Sequence, residues 1–385
     1  MQCCSAPSIG IDASALRNPT MANIATLTIN PAIDLSATVE RLMPGRKLRC
    51  RGLQRDPGGG GINVARVVRR LGSEVIAVYT SGGIVGRLLE ELVTRQGIES
   101  RTVQVAAETR EDFTVHEEES GQQFRFVLAG PKMNETEWQG CLNAVCSLEP
   151  FPRYLVASGS LPPGVPDDFY ARVAQAAREH DAKFLLDTSG PPLKAALAEG
   201  VHLIKPNLHE LMDLAHVHAD DEKGQAAACR RIVGQQQAQI VALTLGDKGA
   251  LLTTREGIWR IPALPIEPAS VVGAGDSFLG AMTWGLAEGH SVEMAFRYAM
   301  AAGSAALLQP GTELCHGADI KRLFHEVEPQ RVWPQGLATS CPVSIVDGPG
   351  DRDDAKLTQV LGDDRLCARS ASCNLHTGPT AERLE

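Results

Sequence analysis

In Val271-Val272-Gly273-Ala274-Gly275-Asp276-Ser277-Phe278, three small residues stand directly before an aspartate and a helical run. The first N–H groups of a helix have no intrahelical partner, so a start built of small residues leaves those amides open to an anion. Together with the helix dipole, those amides would stabilise negative charge developing on a phosphoryl group. Asp276 at the mouth of such a hole can take the proton of an attacking alcohol. A plain helix cap is the alternative, since aspartate is a favoured capping residue.

A second group is Gly58 to Arg66, GGGGINVAR. Its glycines, Gly59 and Gly60 among them, admit positive φ and let backbone approach a ligand closely. Asn63 then starts a helix, where its amide could meet sugar hydroxyls; a flexible turn is the alternative. This is not the dinucleotide fingerprint, because Asn63 occupies the third glycine position. Lys47-Leu48-Arg49-Cys50-Arg51 predicts a strand with Lys47, Arg49 and Arg51 on one face. Such a stripe fits a phosphate, or equally a solvated sheet edge. Arg110 is a further phosphate candidate.

Leu203-Ile204-Lys205-Pro206-Asn207-Leu208-His209-Glu210 runs from a strand into a helix, with Asn207 and Glu210 on one helical face. A carboxylate and an amide so placed can hold water around Mg²⁺, or can cap the helix reciprocally. Thr244-Leu245-Gly246-Asp247-Lys248-Gly249 joins two strands and suits a nucleotide loop or an ordinary hairpin. No histidine stands in a catalytic constellation, no G-x-S-x-G elbow occurs, and the G-x-x-x-x-G-K-[ST] loop is absent. Hydrolase, thiol-nucleophile and P-loop readings therefore fall away.

Short apolar runs at Ile24–Ile29, Val75–Tyr79, Tyr154–Ala157, Phe184–Leu186, His202–Ile204 and Ile240–Leu245 predict strands. Between or after them, Val64–Leu71, Leu88–Leu92, Phe169–Arg178, Leu279–Leu286 and Ala295–Leu308 repeat at helical spacing. Alternating strand and helix over this length predicts a mostly parallel sheet covered on both faces. Residues 33–56 and 100–127 instead alternate polar and apolar, with Gly121 as a hairpin turn, and predict a small antiparallel lid. Residues 1–21 have no periodicity and read as an extension, with Met21 a candidate translation start. From 330 to 385 the pattern fades into Gly, Pro, Ser and Asp, which reads as a disordered tail.

The 385 residues carry a net charge of −9 with 37 Lys+Arg, which argues against nucleic-acid binding and requires local cations for any anionic ligand. Ala299–Leu308 is the longest apolar stretch, about half a membrane span, and no secretory signal is visible. The ten cysteines form no framework, so reduced thiols in a cytoplasmic protein are the expectation.

GGGGINVA followed about 210 residues later by VVGAGDSF resembles the paired signatures of the ribokinase-like (PfkB) carbohydrate kinases. The likeness spans about residues 22–329. TLTINPAID, GRKLRC, SGSLPPGV, IKPN and AAGSAA are most similar to the family's bacterial minor-isoform 6-phosphofructokinase branch.

The resemblance implies a three-layer α/β/α sandwich with a β lid, and a homodimer joined through paired lids. It implies Mg·ATP-dependent phosphorylation of a phosphosugar hydroxyl, C1 of fructose 6-phosphate before all. Transfer to fructose 1-phosphate or tagatose 6-phosphate, or a non-catalytic sensor, are the alternatives.

Asp276 would be the base and Gly273, Ala274 and Gly275 the anion hole. Asp34, Asn63, Gly59, Gly60 and Ser160 would hold the sugar, and Lys47 and Arg110 its phosphate. Lys205, Asn207, Thr244, Gly246 and Gly249 would lie along ATP, and Glu210 would act through Mg²⁺ and its waters. Some members bind a monovalent cation such as K⁺ near loops matching Ser270, Val272 and 306–311. Here Val271 replaces a usual Thr, and Gln309-Pro310 and Glu313 alter that loop.

Overall fold

The computed structural model describes residues 22–215 and 221–333. The readings of residues 1–21, and of the tail beyond residue 333, fall outside the described residues. In chain order the elements are β1 (Ile24–Thr28), β2 (Ala32–Val39), β3 (Arg51–Gly58), α1 (Gly60–Arg70), β4 (Val75–Ser81), α2 (Gly83–Arg95), β5 (Glu99–Gln104), β6 (Arg110–Glu117), β7 (Gln123–Phe126), α3 (Glu135–Cys146), β8 (Tyr154–Ser158) and α4 (Phe169–Glu179). There follow β9 (Lys183–Asp187), α5 (Gly190–Glu199), β10 (Val201–Ile204), α6 (Leu208–Ala215), α7 (Glu222–Gly234), β11 (Ala238–Thr244), β12 (Ala250–Thr253), β13 (Ile258–Ile261), α8 (Ala274–Ala287), α9 (Val292–Ala306), α10 (Gly317–Phe324) and β14 (Gln330–Trp333).

Ten strands make one sheet in the order β14-β13-β12-β11-β10-β9-β8-β1-β4-β5. Neighbours from β5 across to β11 run parallel, and β12, β13 and β14 extend the sheet antiparallel. The interior parallel strands are apolar on both faces and need a helical layer on each. β8 shows how this is met: Tyr154 and Val156 enter one core, Leu155 and Ala157 the other. The first core takes Val67 of α1, Leu89 of α2, Phe278 of α8, Phe296 of α9 and Leu323 of α10. The second takes Trp138 of α3, Phe169 of α4, Leu197 of α5, Leu211 of α6 and Ile232 of α7.

α1 positions half of the site. Its Ile62, Val64, Val67 and Val68 are fully buried, each worth about 1.5–3 kcal/mol relative to exposure. That burial fixes the helix rotation, and hence where Asn63 and Arg66 point.

The lid is a second sheet, β3-β2-β6-β7. It is antiparallel at both edges and parallel in its central pair, β2 with β6. Gly121 (φ 66°) makes the turn between β6 and β7 as expected.

Three expectations are corrected. Residues 99–104 join the large sheet as β5 beside β4 rather than the lid. β5 is an edge strand, polar at all positions but Val103 and exposed at most of them, so it lacks the apolar run that marks a buried parallel strand. Residues 47–50 are not a strand: they follow the turn at Gly45 (φ 72°), so Lys47 and Arg49 stand exposed in a loop and share no strand face with Arg51. The tail's first residues, Gln330–Trp333, pair with β13 as β14.

Candidate active site

The carboxyl ends of the parallel strands converge on one cleft, where open α/β sheets usually bind ligands. Ser158 ends β8, Asp187 ends β9, Lys205 follows β10 and Thr244 ends β11. Above them α8 begins at Gly273, whose φ of 75° is the left-handed turn that lets the chain enter the helix. The first helical bond there runs from the Ser277 N–H to the Gly273 carbonyl at 2.8 Å. The amides of 274–276 thus have no carbonyl within the helix to bond.

The Asp276 carboxylate accepts a hydrogen bond from Asn63 Nδ2 at 2.9 Å, joining the two glycine-rich motifs. Lys205 Nζ lies 3.2 Å from Asp187 Oδ2. A methyl group on Gly275 would stand 3.3 Å from that ammonium. Bare amides, a buried cation and a carboxylate therefore meet within one helical turn. That set suits a transferring phosphoryl group.

The profile of the pfkB family carbohydrate kinases matches residues 22–318. The chain belongs to this family. ATP-dependent 6-phosphofructokinase isozyme 2 of Mycobacterium tuberculosis is 41% identical over 310 residues, covering 80% of this chain and 91% of that one. Phosphofructokinase-2 from Escherichia coli, solved in complex with potassium, superposes with a TM-score of 0.76 at 38% identity, over 80% of this chain and 99% of that one. Its complex with fructose-6-phosphate gives 0.75 at 37%, with the same coverage. The fold is the ribokinase-like α/β fold, and the chain is a carbohydrate kinase.

In this family member the second half of the site lies under the lid. β2 sets Asp34 in register with Asp56 of β3 on one side and Asp112 of β6 on the other. Arg66 neutralises Asp56 at 3.0 Å, and Arg110 neutralises Asp112 at 3.1 Å. Burial first, then the Asp112 charge, pushes the Asp34 carboxyl up to about 7, against the pull of Arg125 and Arg66. Gly58 is required beneath it: a Cβ there would come within 2.4 Å of Asp34 Oδ2. Gly59 caps α1 with φ 102°, and Gly60 leaves no room for a Cβ against the Ser158 hydroxyl.

Burial and then Asp187 raise Asp276 to about 6, while the Asn63 hydrogen bond, Lys205 and Arg125 pull it down. Burial lowers Lys205, but Asp187 and Asp276 outweigh it and hold the ammonium above its ordinary range. Burial also raises Glu210, against the Asn207 N–H that it accepts.

Several expected residues therefore stand together: Asp34, Asn63, Asp276 and the 273–275 turn, with Lys205 behind. Others are engaged locally. Arg110 donates to the Leu128 and Asn30 carbonyls at 2.8 and 3.1 Å besides Asp112. Asn207 and Glu210 cap one another, each side chain accepting the other's N–H at 2.9 Å. Asn207 forms a parallel bridge with Thr244, and Gly246 and Gly249 take φ 59° and 96° in the adjoining turn. Lys47 makes no part of this cluster among the described residues.

Asn30, Arg66, Arg125 and Asp187 stand beside these residues and were given no role from the sequence, although Asn30 lies in TLTINPAID and Arg66 closes GGGGINVAR. Asn30 donates to Ser160 Oγ at 3.3 Å, and its own Oδ1 is buried against Gly130 with no hydrogen-bond partner. Asp187 had one usable signal, a carboxylate closing the apolar run KFLLD at a strand's carboxyl end.

Proposed function

We propose that this kinase phosphorylates the C1 hydroxyl of fructose 6-phosphate with Mg·ATP. The observation that carries the reading is the Asp276 carboxylate, held by Asn63 at the mouth of a bare helix start with Lys205 beside it. Asp34, Asn63, Ser160 and the Gly59–Gly60 backbone would hold the sugar hydroxyls. Arg110, with Lys47 from the lid loop, would meet the sugar phosphate. Asp276 takes the hydroxyl proton as that oxygen attacks the terminal phosphorus, and ADP leaves. The amides of 273–275 and Lys205 hold the charge that accumulates on the equatorial oxygens.

Lys205, Asn207, Thr244, Gly246 and Gly249 would lie along ATP. Among the described residues no group of three or more His, Cys, Asp or Glu could hold a metal. That fits Mg²⁺ carried by the nucleotide and its waters, with Glu210 reaching it through water. The ion supplies charge neutralisation on the phosphates.

A monovalent cation such as K⁺ would sit near Ser270, Val272 and 306–311. The Ser270 hydroxyl draws those loops together by donating to the Gly311 carbonyl at 2.7 Å. No helix among the described residues is long and apolar enough to cross a membrane, which accords with a cytoplasmic enzyme.

The test is ADP release with fructose 6-phosphate, fructose 1-phosphate, tagatose 6-phosphate and ribose, wild type beside Asp276→Asn. A kcat/KM preference for fructose 6-phosphate, lost by orders of magnitude in the variant, supports substrate and base together. Preference for another sugar overturns the substrate alone. Turnover retained by Asp276→Asn overturns the base.

A further inference from the structure

Arg66 is 1% exposed and reaches the cleft only through Asn63. One terminal nitrogen donates to the Pro57 carbonyl at 2.9 Å and to Asn63 Oδ1 at 3.0 Å. The other donates to Asp56 Oδ1 at 3.0 Å, and Asp56 Oδ2 accepts the Thr312 hydroxyl at 2.8 Å. A carboxamide has two ends of opposite sense. A guanidinium donates only, so its bond to Asn63 Oδ1 forces Asn63 Nδ2 to the far side. There Nδ2 meets Asp276 Oδ2 at 2.9 Å. Turned the other way, Asn63 would set its oxygen against the carboxylate.

We infer that Arg66 is a positioning residue for the reaction: it fixes the sense of the Asn63 carboxamide and thereby aims and tunes the Asp276 carboxylate. Through Asp56 on lid strand β3 and Thr312 beyond α9, the same guanidinium ties the base to two segments outside the cleft. The inference rests on Asp276 being the base. The groups that bear on Asp276 are Asp187 at the end of β9, Lys205 after β10, Arg125 of β7 and Asp34 of β2. None of them contacts the Asn63 oxygen, so none can replace Arg66 in orienting it.

The experiment uses the full chain and follows kcat against pH for wild type, Arg66→Met, Arg66→Lys, Asn63→Ala and Arg66→Met/Asn63→Ala. The expected result for Arg66→Met is a kcat lower by about tenfold, the scale of one hydrogen bond to a charged group. Its acid limb should also move to higher pH, because the Asn63 bond is one of the groups holding Asp276 down. In the Asn63→Ala background, Arg66→Met should cost almost nothing further. An acid limb left at the wild-type position, or costs that simply add, would overturn the inference in favour of a structural ion pair. If Arg66→Met does not fold, Arg66→Lys decides. Arg66 serves Asn63 and Asp56 from two separate nitrogens, whereas an ammonium on a shorter stem must serve both from one, so the Asn63 bond weakens and the limb moves the same way by a smaller amount; an unmoved limb overturns the inference. Wild-type turnover by Asp276→Asn would instead remove the base assignment, a result distinct from either outcome at Arg66.

Discussion

A carboxylate is a useful base near neutral pH only if something raises its affinity for a proton, and at Asp276 burial does most of this. The deprotonated form is the one that works. Activity should therefore fall as pH drops through about 6, which a kcat profile between pH 5 and 8 will read; a limb near pH 4 would mean that the base is not Asp276. The same shift bears on folding with the opposite sign. The folded state holds the Asp276 proton more tightly than the unfolded chain does, so ionising it costs stability, beginning above pH 3.8 and complete above about 6. Asp276→Asn removes that cost. At pH 8 the variant should melt about 2–4 °C above wild type, and at pH 4 the gain should vanish, read by thermal unfolding without ligand. Asp276 was legible because VVGAGDSF follows GGGGINVA in the order of the paired family signatures; alone, an acid at a helix start reads equally as a cap. Asp187 was not, since it acts on Lys205 and Asp276 far along the chain; Arg66 closes GGGGINVAR, but its hold on Pro57, Asn63 and Asp56 depends on how that loop folds, which the motif does not display.

At the scale of elements, α1 and α8 are the frame on which the two glycine motifs meet, and the motifs are glycine because other elements press on them. Gly58 sits against the Asp34 carboxylate of β2, and the atoms that a Cβ would meet are the ones expected to bind sugar. Gly58→Ala should move Asp34 or the loop and lower kcat/KM for the phosphosugar by about 100-fold, the scale of a displacement of an ångström. ATP binding, measured separately, should be unchanged. Equal loss for both ligands would place the damage in the fold rather than in the sugar site. The buried parallel strands were readable as short apolar runs flanked by turns, as β8 and β11 show. β5 reads like a lid strand because a mostly polar strand at the sheet edge carries no apolar run to tie it to the buried sheet. β14 went unread because a four-residue edge strand after Pro329 carries too little apolar sequence to signal itself. The helices α3, α5 and α7 do keep helical spacing, as Trp138, Cys141 and Val145, Leu193, Ala196 and Leu197, and Cys229, Ile232 and Val233 show, but much of it is carried by Ala and Cys rather than by large aliphatic residues, which makes the stripe faint in the sequence.

On the whole-molecule scale, the lid carries an apolar surface that the sheet beneath does not use. Leu53 of β3, Phe113 of β6 and Phe126 of β7 are each about half exposed, and Val127 and Leu128 extend the group. Phe113 and Phe126 are register partners, so their rings are cross-strand neighbours rather than scattered surface residues. A contiguous patch of this kind on a chain of net charge −9 is a place for another apolar surface. A second copy of the same lid is the simplest complement, since a two-fold pairing needs only one self-complementary face. Phe126→Asp would bring a charge to the centre of that face in both copies at once. The expected result is a wild-type sedimentation mass above that of one chain and a variant mass equal to one chain, with α/β circular dichroism preserved; a wild type that sediments as one chain overturns the pairing. If the mass of the variant matches wild type, the lid is not where copies join. The phosphosugar should bind more weakly to the separated chain, because the strands that carry Phe113 and Leu53 also hold Asp112 and Asp56, the register partners of Asp34.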